Sequence, residues 1–504
     1  MGNKKNVSEE KTAGEGLAAF VGVSAPETPK YILANNFLTD YFNIGGNTET
    51  VYNYDYFTRI GQLYCENLQK DEKLRYSFDT FIGRYAGNEV MHEENGKLNK
   101  SKHYYFPITP DMITTSNFTL RHILYMLQTL DKNFNYKQMQ EMLEKYVFGD
   151  DTGINHIMKL LLDSSTTKEF KLNNAPVKNA ENFWNMLTST ERTRMGKLSA
   201  NMNEDMTVLL THEYFRKLDF YRRYNYLSVL LTSYVIQYII CRRGSNVHML
   251  CQGAPRDSRV TDSFHKASCN NYAYIRKLFA ELLKNYYTKI IRDTLSEGQL
   301  LRIQVDYAEI TVNGEEFNEF INRMFPNRKG KTTYIDRNDI IRAFSLQEEK
   351  GNDLLPEDFA MRYIELTGSQ KGANLTKISS ILPTCGRQIE MIFPQNRARQ
   401  KYFAMSETLA EFYIRLYLAR KKIRYDYLDN FIEDLQSRYK IIIVKNLSGE
   451  RALKAMKINL KAQEYSNNKK AFVDMLNSIN CLIKLSDSGY VVTLPEEKGA
   501  FKLI

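Results

Sequence analysis

The 504-residue sequence has little cysteine, proline or tryptophan, and it has no hydrophobic run of membrane-spanning length. Its six cysteines are scattered along the chain, which excludes a small disulfide-stapled fold and favours a reducing cytoplasm. The most apolar stretch runs for sixteen residues, Tyr226 to Cys241, and polar side chains interrupt it. A membrane span needs about twenty mostly apolar residues. We therefore expect a cytoplasmic protein without a membrane partner, and a buried core helix at this stretch.

Strong catalytic signatures are also missing. The sequence has no G-x-S-x-G elbow for a nucleophilic serine and no G-x-G-x-x-G loop for a dinucleotide. The "GKT" at Gly330 to Thr332 resembles the end of a phosphate-binding loop, but Phe325 occupies the position of the first glycine. These absences predict a protein that is not an enzyme and that carries no cofactor.

The hydrophobic pattern predicts a mainly α fold with a large multi-helical body. Apolar residues recur three and four positions apart through most of residues 29–295, as in "FTLRHILYMLQTL" and "NYAYIRKLFAELL". Alternation in "LRIQVDYAEITV" then predicts one or two strands. We interpret residues 1–28 as a flexible tail, 29–295 as a helical domain and 296–395 as a small mixed α/β connector.

Residues 396–504 predict a winged-helix-like domain. A helix capped by Ser406 precedes a second helix in "DYLDNFIEDLQSRY", and the short strand "KIIIV" follows. A third helix, opened by Ser466 or Asn467, leads into "CLIKLSDSGYVVTL", which is typical of a β-hairpin. A connector of about twenty residues, Lys445 to Tyr465, separates the strand from the third helix and departs from the usual winged-helix order.

Positive charge is concentrated in this last part of the chain. The net charge is +10, and residues 396–470 contain 17 lysines and arginines against 8 aspartates and glutamates. Such clusters attract nucleic-acid phosphates through counterion release, so DNA is the expected partner. A basic face that contacts only solvent is the alternative. The candidate phosphate-binding residues are Arg397, Arg399, Lys401, Lys421, Lys422, Arg424, Lys469 and Lys470.

One stretch, "HMLCQGAPRDSRVTDSFHKASC", has the ligand types of a zinc site. His248 and Cys251 form one close pair, and His265 and Cys269 form another. Helical spacing alone also accounts for the second pair. We expect a loop between two core helices here and assign no metal, and whether these four residues bind zinc is left open.

The same stretch overlaps the only catalytic alternative. "RGSNVH" has the Arg-x4-His spacing of helical HEPN-type ribonucleases, in which an Arg and a His act on an RNA phosphodiester. Arg243 and His248 would be those residues. Gly244 occupies the position where a polar residue usually follows the arginine.

The C-terminal part resembles the winged-helix ends of helical accessory subunits in multi-gene bacterial anti-phage defence systems. The resemblance lies in the basic segment "QNRARQK", the helix ending "LQSRY", the strand "KIIIV" and the hairpin "LSDSGYVV". The resemblance covers about a fifth of the chain. It implies a non-catalytic subunit that binds DNA, other protein subunits of a defence-type complex, or both. A pure protein-interaction scaffold is the close alternative, and a HEPN-like ribonuclease is the other.

Overall fold

A computed structural model describes about half of the chain, including nearly all of its C-terminal part. The described residues are 33–34, 37–38, 41, 92–94, 97–99, 120–148, 189–244, 246–255, 262–294, 373–395, 400–445, 447–485 and 489–498. Three of the sequence predictions lie outside the described residues. They are the tail (residues 1–28), the strands in "LRIQVDYAEITV", and the phosphate contacts of Arg397 and Arg399.

The described part of the chain is mostly helical, as the sequence predicts. None of its helices is long and apolar enough to cross a membrane. Of the helices whose bounds the structure describes, those before the C-terminal part are α1 (Leu120–Thr129), α2 (Tyr136–Phe148), α3 (Ser189–Thr211), α4 (Glu213–Arg216), α5 (Phe220–Arg243), α6 (Ser263–Thr294) and α7 (Ala373–Gln388). The C-terminal helices are α8 (Glu407–Lys421), α9 (Leu428–Tyr439), α10 (Leu447–Ala455) and α11 (Ala462–Ser478).

Helix α5 is the centre of the helical body. Every residue from Tyr226 to Cys241 is buried, which confirms the predicted core helix. The Asp219 side chain caps its first turn by accepting from a backbone N–H, and the chain leaves its end at Gly244 with φ 151°. Ser228 and Thr232 interrupt the apolar run without cost, because each hydroxyl donates to a backbone carbonyl one turn earlier.

The stretch that follows α5 contains a strand where the sequence predicted a loop. Strand β3 (Met249–Gln252) is buried at all four positions and is the third strand of a sheet ordered β4 (Ile392–Phe393), β5 (Tyr402–Ala404), β3 and β7 (Ile441–Ile442). It is parallel to both neighbours, while β4 and β5 are antiparallel. Central parallel strands are covered on both faces, so the apolar and polar alternation that reveals exposed strands is absent.

A second, three-stranded sheet lies in the C-terminal part. It is antiparallel and ordered β6 (Tyr425–Tyr427), β9 (Tyr490–Thr493), β8 (Leu482–Lys484). The β8–β9 pair confirms the predicted hairpin, whereas β6 was not predicted. A separate two-stranded ladder joins β1 (His92–Glu94) to β2 (Lys97–Asn99).

The third predicted helix of the C-terminal part begins earlier than expected. Helix α11 starts at Ala462 rather than at Ser466 or Asn467. The side chain of Glu464 accepts from the backbone N–H of Lys461, which is one half of a capping box. The predicted connector therefore contains α10 and the first turn of α11.

The helical body and the C-terminal part share one core. Strand β3, from the predicted helical domain, lies between β5 and β7, which belong to residues 396–504. Close packing continues beyond β3, because a Cβ atom at Gly253 would lie 2.4 Å from the backbone oxygen of Asn468 in α11. The amide of Asn468 bridges the strands by donating to the carbonyls of Cys251 and Ile443 and accepting from the Gly253 N–H. These contacts fix where α11 lies.

Candidate nucleic-acid interface

The turn from α8 into β6 carries three of the candidate basic residues. Helix α8 begins at Ser406, whose hydroxyl accepts from the Leu409 N–H at 3.2 Å as the sequence predicts. It ends at Lys422, which adopts the left-handed conformation with φ 57°. The chain reverses there, so Lys421, Lys422 and Arg424 are clustered in one short link.

The charges of this link are partly neutralised. The Lys421 ammonium lies 3.1 Å from a carboxylate oxygen of Asp426 and 4.8 Å from the centre of the Tyr417 ring. Arg424 Nε is 3.7 Å from a Glu497 oxygen. The side chain of Lys422 is exposed and forms no ion pair with any residue that the structure describes. Lys422 is thus the link cation most available to a phosphate.

The lysines of α11 lie near the same link. Lys469 forms an ion pair with Asp429 in the first turn of α9. Asp426, which pairs with Lys421, immediately precedes α9. The structure therefore brings the link and α11 together at the N-terminal end of α9, although they are about fifty residues apart in the sequence. Lys470 is exposed, and within the described ranges no carboxylate pairs with it.

Asp426 is held in its charged form by its neighbours. Burial by itself would raise the pKa of Asp426, but hydrogen bonds from Tyr417, Asn430 and Lys421 lower it below the ordinary value of an aspartate. The Tyr417 hydroxyl donates to it at 2.6 Å. A permanent negative charge therefore stands beside the link and limits how much net positive potential this end of α9 can present.

Helix α11 presents one polar face to solvent. Its opposite face is buried through Tyr465, Asn468, Phe472, Met475 and Leu476. The exposed positions recur every three or four residues, as one helical face requires. They are Gln463, Ser466, Asn467, Lys470, Asp474 and Asn477, and the two end residues Ala462 and Ser478 are exposed as well. Amide side chains can pair with adenine edges and lysine with guanine edges in a major groove, so this face has the chemistry of a DNA-reading helix.

Among the three candidate cations of the approach segment before α8, the structure describes Lys401. Arg397 and Arg399 are outside the described residues. Lys401 is half-buried, and its ammonium donates to the backbone carbonyl of Pro394. Burial, assisted by the charge of Arg387, lowers the pKa of Lys401. Its charge is directed toward the protein rather than toward solvent.

Three arginines of the basic region are structural. Arg415 is buried, Arg420 and Arg438 are half-buried, and each guanidinium lies against carboxylates. Arg415 contacts Glu411 and Glu496, Arg420 contacts Asp205 and Asp434, and Arg438 contacts Glu204 and Asp205. The positive charge available to a ligand is accordingly smaller than the sequence count implies.

The four zinc-ligand candidates do not converge. Cys269 Sγ and His265 Nε2 are 3.5 Å apart on α6, and His265 Nδ1 is 2.7 Å from the Gln252 amide nitrogen. Successive strand residues point to opposite faces, so Gln252 faces α6 and Cys251 faces away from it. Burial raises the pKa of both thiols. Across the described ranges, no group of three or more His, Cys, Asp and Glu side chains could hold a metal ion.

The pair considered for ribonuclease chemistry is poorly placed for it. Arg243 is the last residue of α5, and His248 directly precedes β3 with only 6% of its surface exposed. Burial, with the nearby charge of Lys440, lowers the pKa of His248 to about 4. A general acid or base works best with a pKa near the working pH and must reach the substrate. This site offers His248 neither property at neutral pH.

Comparison with known proteins adds no assignment to this geometry. No protein-family model, no curated protein and no solved structure matches the chain.

Proposed function

We propose that the chain is a non-catalytic subunit that binds duplex DNA through its C-terminal part, with α11 facing the major groove. The element order supports this proposal. The order along the chain is helix α8, strand β6, helices α9 and α11, and then the β8–β9 hairpin. Strand β6 pairs with β9 of that hairpin. This order is typical of winged-helix domains, in which a helix and an adjoining hairpin contact DNA. Strand β7 and helix α10 are insertions in it.

The observation that carries the proposal is the exposed face of α11. Gln463, Asn467 and Lys470 lie on that face, and the Gln463 amide donates to the Asn467 amide oxygen at 2.9 Å. None of the three is needed to bury the helix, because the opposite face supplies its apolar contacts. Lys422 of the link adds a second cation near the N-terminal end of α9. A polar helix face flanked by cations suits base edges and phosphates together.

The electrostatic contribution is expected to be moderate. Lys421, Arg424 and Lys469 already face carboxylates, so they contribute less to phosphate attraction than unpaired cations. Lys422 and Lys470 are therefore the residues on which salt-dependent binding should depend most. A protein partner at the same surface is the second function we keep, because winged-helix domains also serve as interaction modules.

The cellular setting proposed for this subunit is a bacterial defence-type complex in the cytoplasm. It is supported by the C-terminal segments that resemble such accessory subunits and by the scattered cysteines, neither of which identifies a particular system. In that setting the helical body would contact the other protein subunits.

Duplex binding measured by fluorescence anisotropy at about 50 to about 200 mM salt tests the proposal. The test variant is Lys422→Glu/Lys470→Glu, and the matched control is Lys137→Glu/Lys145→Glu, which makes the same charge change at exposed positions of α2. If both lysines contact phosphates, the test variant should lower the slope of log K against log salt by about 1.8. The control should leave the slope unchanged.

Two results would contradict DNA binding. The first is an affinity for duplex DNA that changes neither with the salt concentration nor with the test substitutions. The second is wild-type protein that does not bind duplex DNA at low salt, which would favour the scaffold alternative.

A further inference from the structure

Two tyrosines on strand β6 stand out from the rest of the described surface. Tyr425 is 50% exposed and Tyr427 is 58% exposed. Among the side chains that the structure describes, the only other large apolar residue of comparable exposure is Tyr274, at 37%. Neighbouring exposed aromatics at one place on a surface more often mark a binding site than scattered ones do.

The strand places the two rings on the same side. Residues two apart in a strand share a face, and their Cα atoms are about 6.6 Å apart. Asp426, between them, faces the other way and accepts from the buried Tyr417 hydroxyl. In the adjacent strand, Tyr425 pairs with Thr493 and Tyr427 pairs with Val491. Thr493 and Val491 are both buried, so the tyrosines lie on a packed sheet surface.

Positive charge adjoins the two rings. Arg424 immediately precedes the strand and Lys422 lies three residues before it; both are exposed, and Arg424 is paired with Glu497. On its side away from β9, β6 is paired with no strand that the structure describes. The cores of protein–protein interfaces are depleted of lysine. Aromatic rings next to cations match single-stranded nucleic acid instead, because bases stack on the rings and phosphates lie near the cations.

Duplex DNA does not fit this pair, since its bases are already stacked on one another. In a single strand the bases are available, and stacked bases lie about 3.4 Å apart. Two residues whose Cα atoms are about 6.6 Å apart, about twice the stacking distance, can hold one base between their rings when the rings stand parallel. Such stacking tolerates any base, because every base has a π-face.

We infer that Tyr425 and Tyr427 form a single-strand binding platform, which we call the tyrosine platform, in the same C-terminal part of the chain as the face of α11 proposed to bind duplex DNA. The inference rests on the proposed function, because it adds an unpaired strand to the DNA that α11 contacts. A substrate with a junction between duplex and single strand would then engage both surfaces at once, one through groove contacts and the other through stacking.

The test compares binding of an oligodeoxythymidine and of a blunt duplex by anisotropy. Tyr425→Ala/Tyr427→Ala removes both rings, Tyr425→Phe/Tyr427→Phe keeps them, and Tyr274→Ala is a matched exposed-tyrosine control in α6. We expect the alanine pair to weaken single-strand binding by at least about tenfold. The phenylalanine pair and Tyr274→Ala should bind like the wild type, and duplex affinity should be unchanged in all three variants.

A second measurement does not depend on the folding of a variant. Photocrosslinking of wild-type protein to an oligonucleotide that contains 5-iodouracil should give adducts at Tyr425 or Tyr427, identified by mass spectrometry. Adducts confined to other residues would overturn the tyrosine platform.

The remaining outcomes separate this inference from the proposed function. Duplex binding without any single-strand binding would reject the platform and leave the proposed function standing, and binding of neither ligand would reject both. Unchanged single-strand affinity in the alanine pair would also reject the platform. If that pair instead abolished a concentration-dependent dimer, the occupant of the surface would be a second copy of the chain.

Discussion

The carboxylate of Asp205 in α3 lies 2.7 Å from a guanidinium nitrogen of Arg438 in α9, although 233 residues separate them in the sequence. Arg420 reaches the same carboxylate at 2.9 Å, and the hydroxyls of Tyr234 and Tyr439 donate to it at 2.6 Å. The Asp205 side chain is fully buried. Because Arg420 and Arg438 belong to the C-terminal part, this one carboxylate joins that part to the helical body.

Replacing Asp205 should destabilise the protein strongly. Asp205→Asn would deprive two guanidinium groups of the buried carboxylate that both contact, and breaking one side of a buried ion pair costs about 3–5 kcal/mol. We expect the midpoint of urea unfolding, followed by circular dichroism, to fall accordingly. Asp474→Asn, at an exposed position of α11, is the control and should shift the midpoint little. Equal effects of the two substitutions would show that the Asp205 network does not hold the parts together.

Two glycine substitutions should have opposite effects. At Gly253 a Cβ atom would lie 2.4 Å from the backbone oxygen of Asn468 and 2.6 Å from the backbone nitrogen of Phe472. Gly253→Ala therefore requires α11 to move, and we expect a loss of stability of about 1–3 kcal/mol. At Gly196, inside α3, no described atom outside the adjacent backbone of the helix lies within 4 Å of the new Cβ.

Gly196→Ala should accordingly stabilise the protein by about 0.5–1 kcal/mol, as helical alanines do relative to glycine. Thermal unfolding of both variants checks the pair. Gly253→Ala should also weaken duplex binding, because the face of α11 would be displaced. A Gly253→Ala protein as stable as Gly196→Ala would mean that the strand and the helix do not pack this closely.

Much of the helical fold could be predicted from the sequence, and the short strands could not. The Ser406 cap and the glycine-containing turn before β9 are local signals, and the structure contains the helix and the hairpin that they predict. Strand β3 has four buried residues and no alternation, and β6 has only three residues. Their positions depend on strands distant in the sequence, so local patterns do not reveal them.

Local sequence patterns were also insufficient for the candidate site in the basic residues 396–470. The charge count drew attention to Lys422 and Lys470, which are exposed, but it also included Arg420 and Arg438, which are half-buried and paired with carboxylates. Their shared partner Asp205 is more than 200 residues away, and a local count cannot detect such a pairing. The polar face of α11 could have been found by helical spacing if the start of that helix had been placed at Ala462.

Stability should fall as the pH is lowered from about 6.5 toward 4, because of His248. Burial lowers the pKa of this imidazole from 6.5 to about 4, so between these values the unfolded chain binds a proton that the folded chain does not. Stability is therefore fully present above the unfolded pKa and is lost as the pH falls, by at most about 3 kcal/mol. His248→Leu should flatten this part of the profile of urea midpoint against pH. A variant with the wild-type slope would show that other groups cause the loss.

Purified protein should contain zinc well below one equivalent. Cys251 is fully buried on the sheet face that points away from α6, whereas His265 and Cys269 lie on α6 itself. A single ion could therefore not bind all three residues unless β3 separated from its neighbouring strands. Elemental analysis after dialysis without chelator measures the content. Cys251→Ser and Cys269→Ser should leave it unchanged, and so should Cys481→Ser, a buried control distant in the sequence. Stoichiometric zinc that disappears in Cys251→Ser and persists in Cys481→Ser would instead establish a metal site at this stretch and require a different path for the chain after α5.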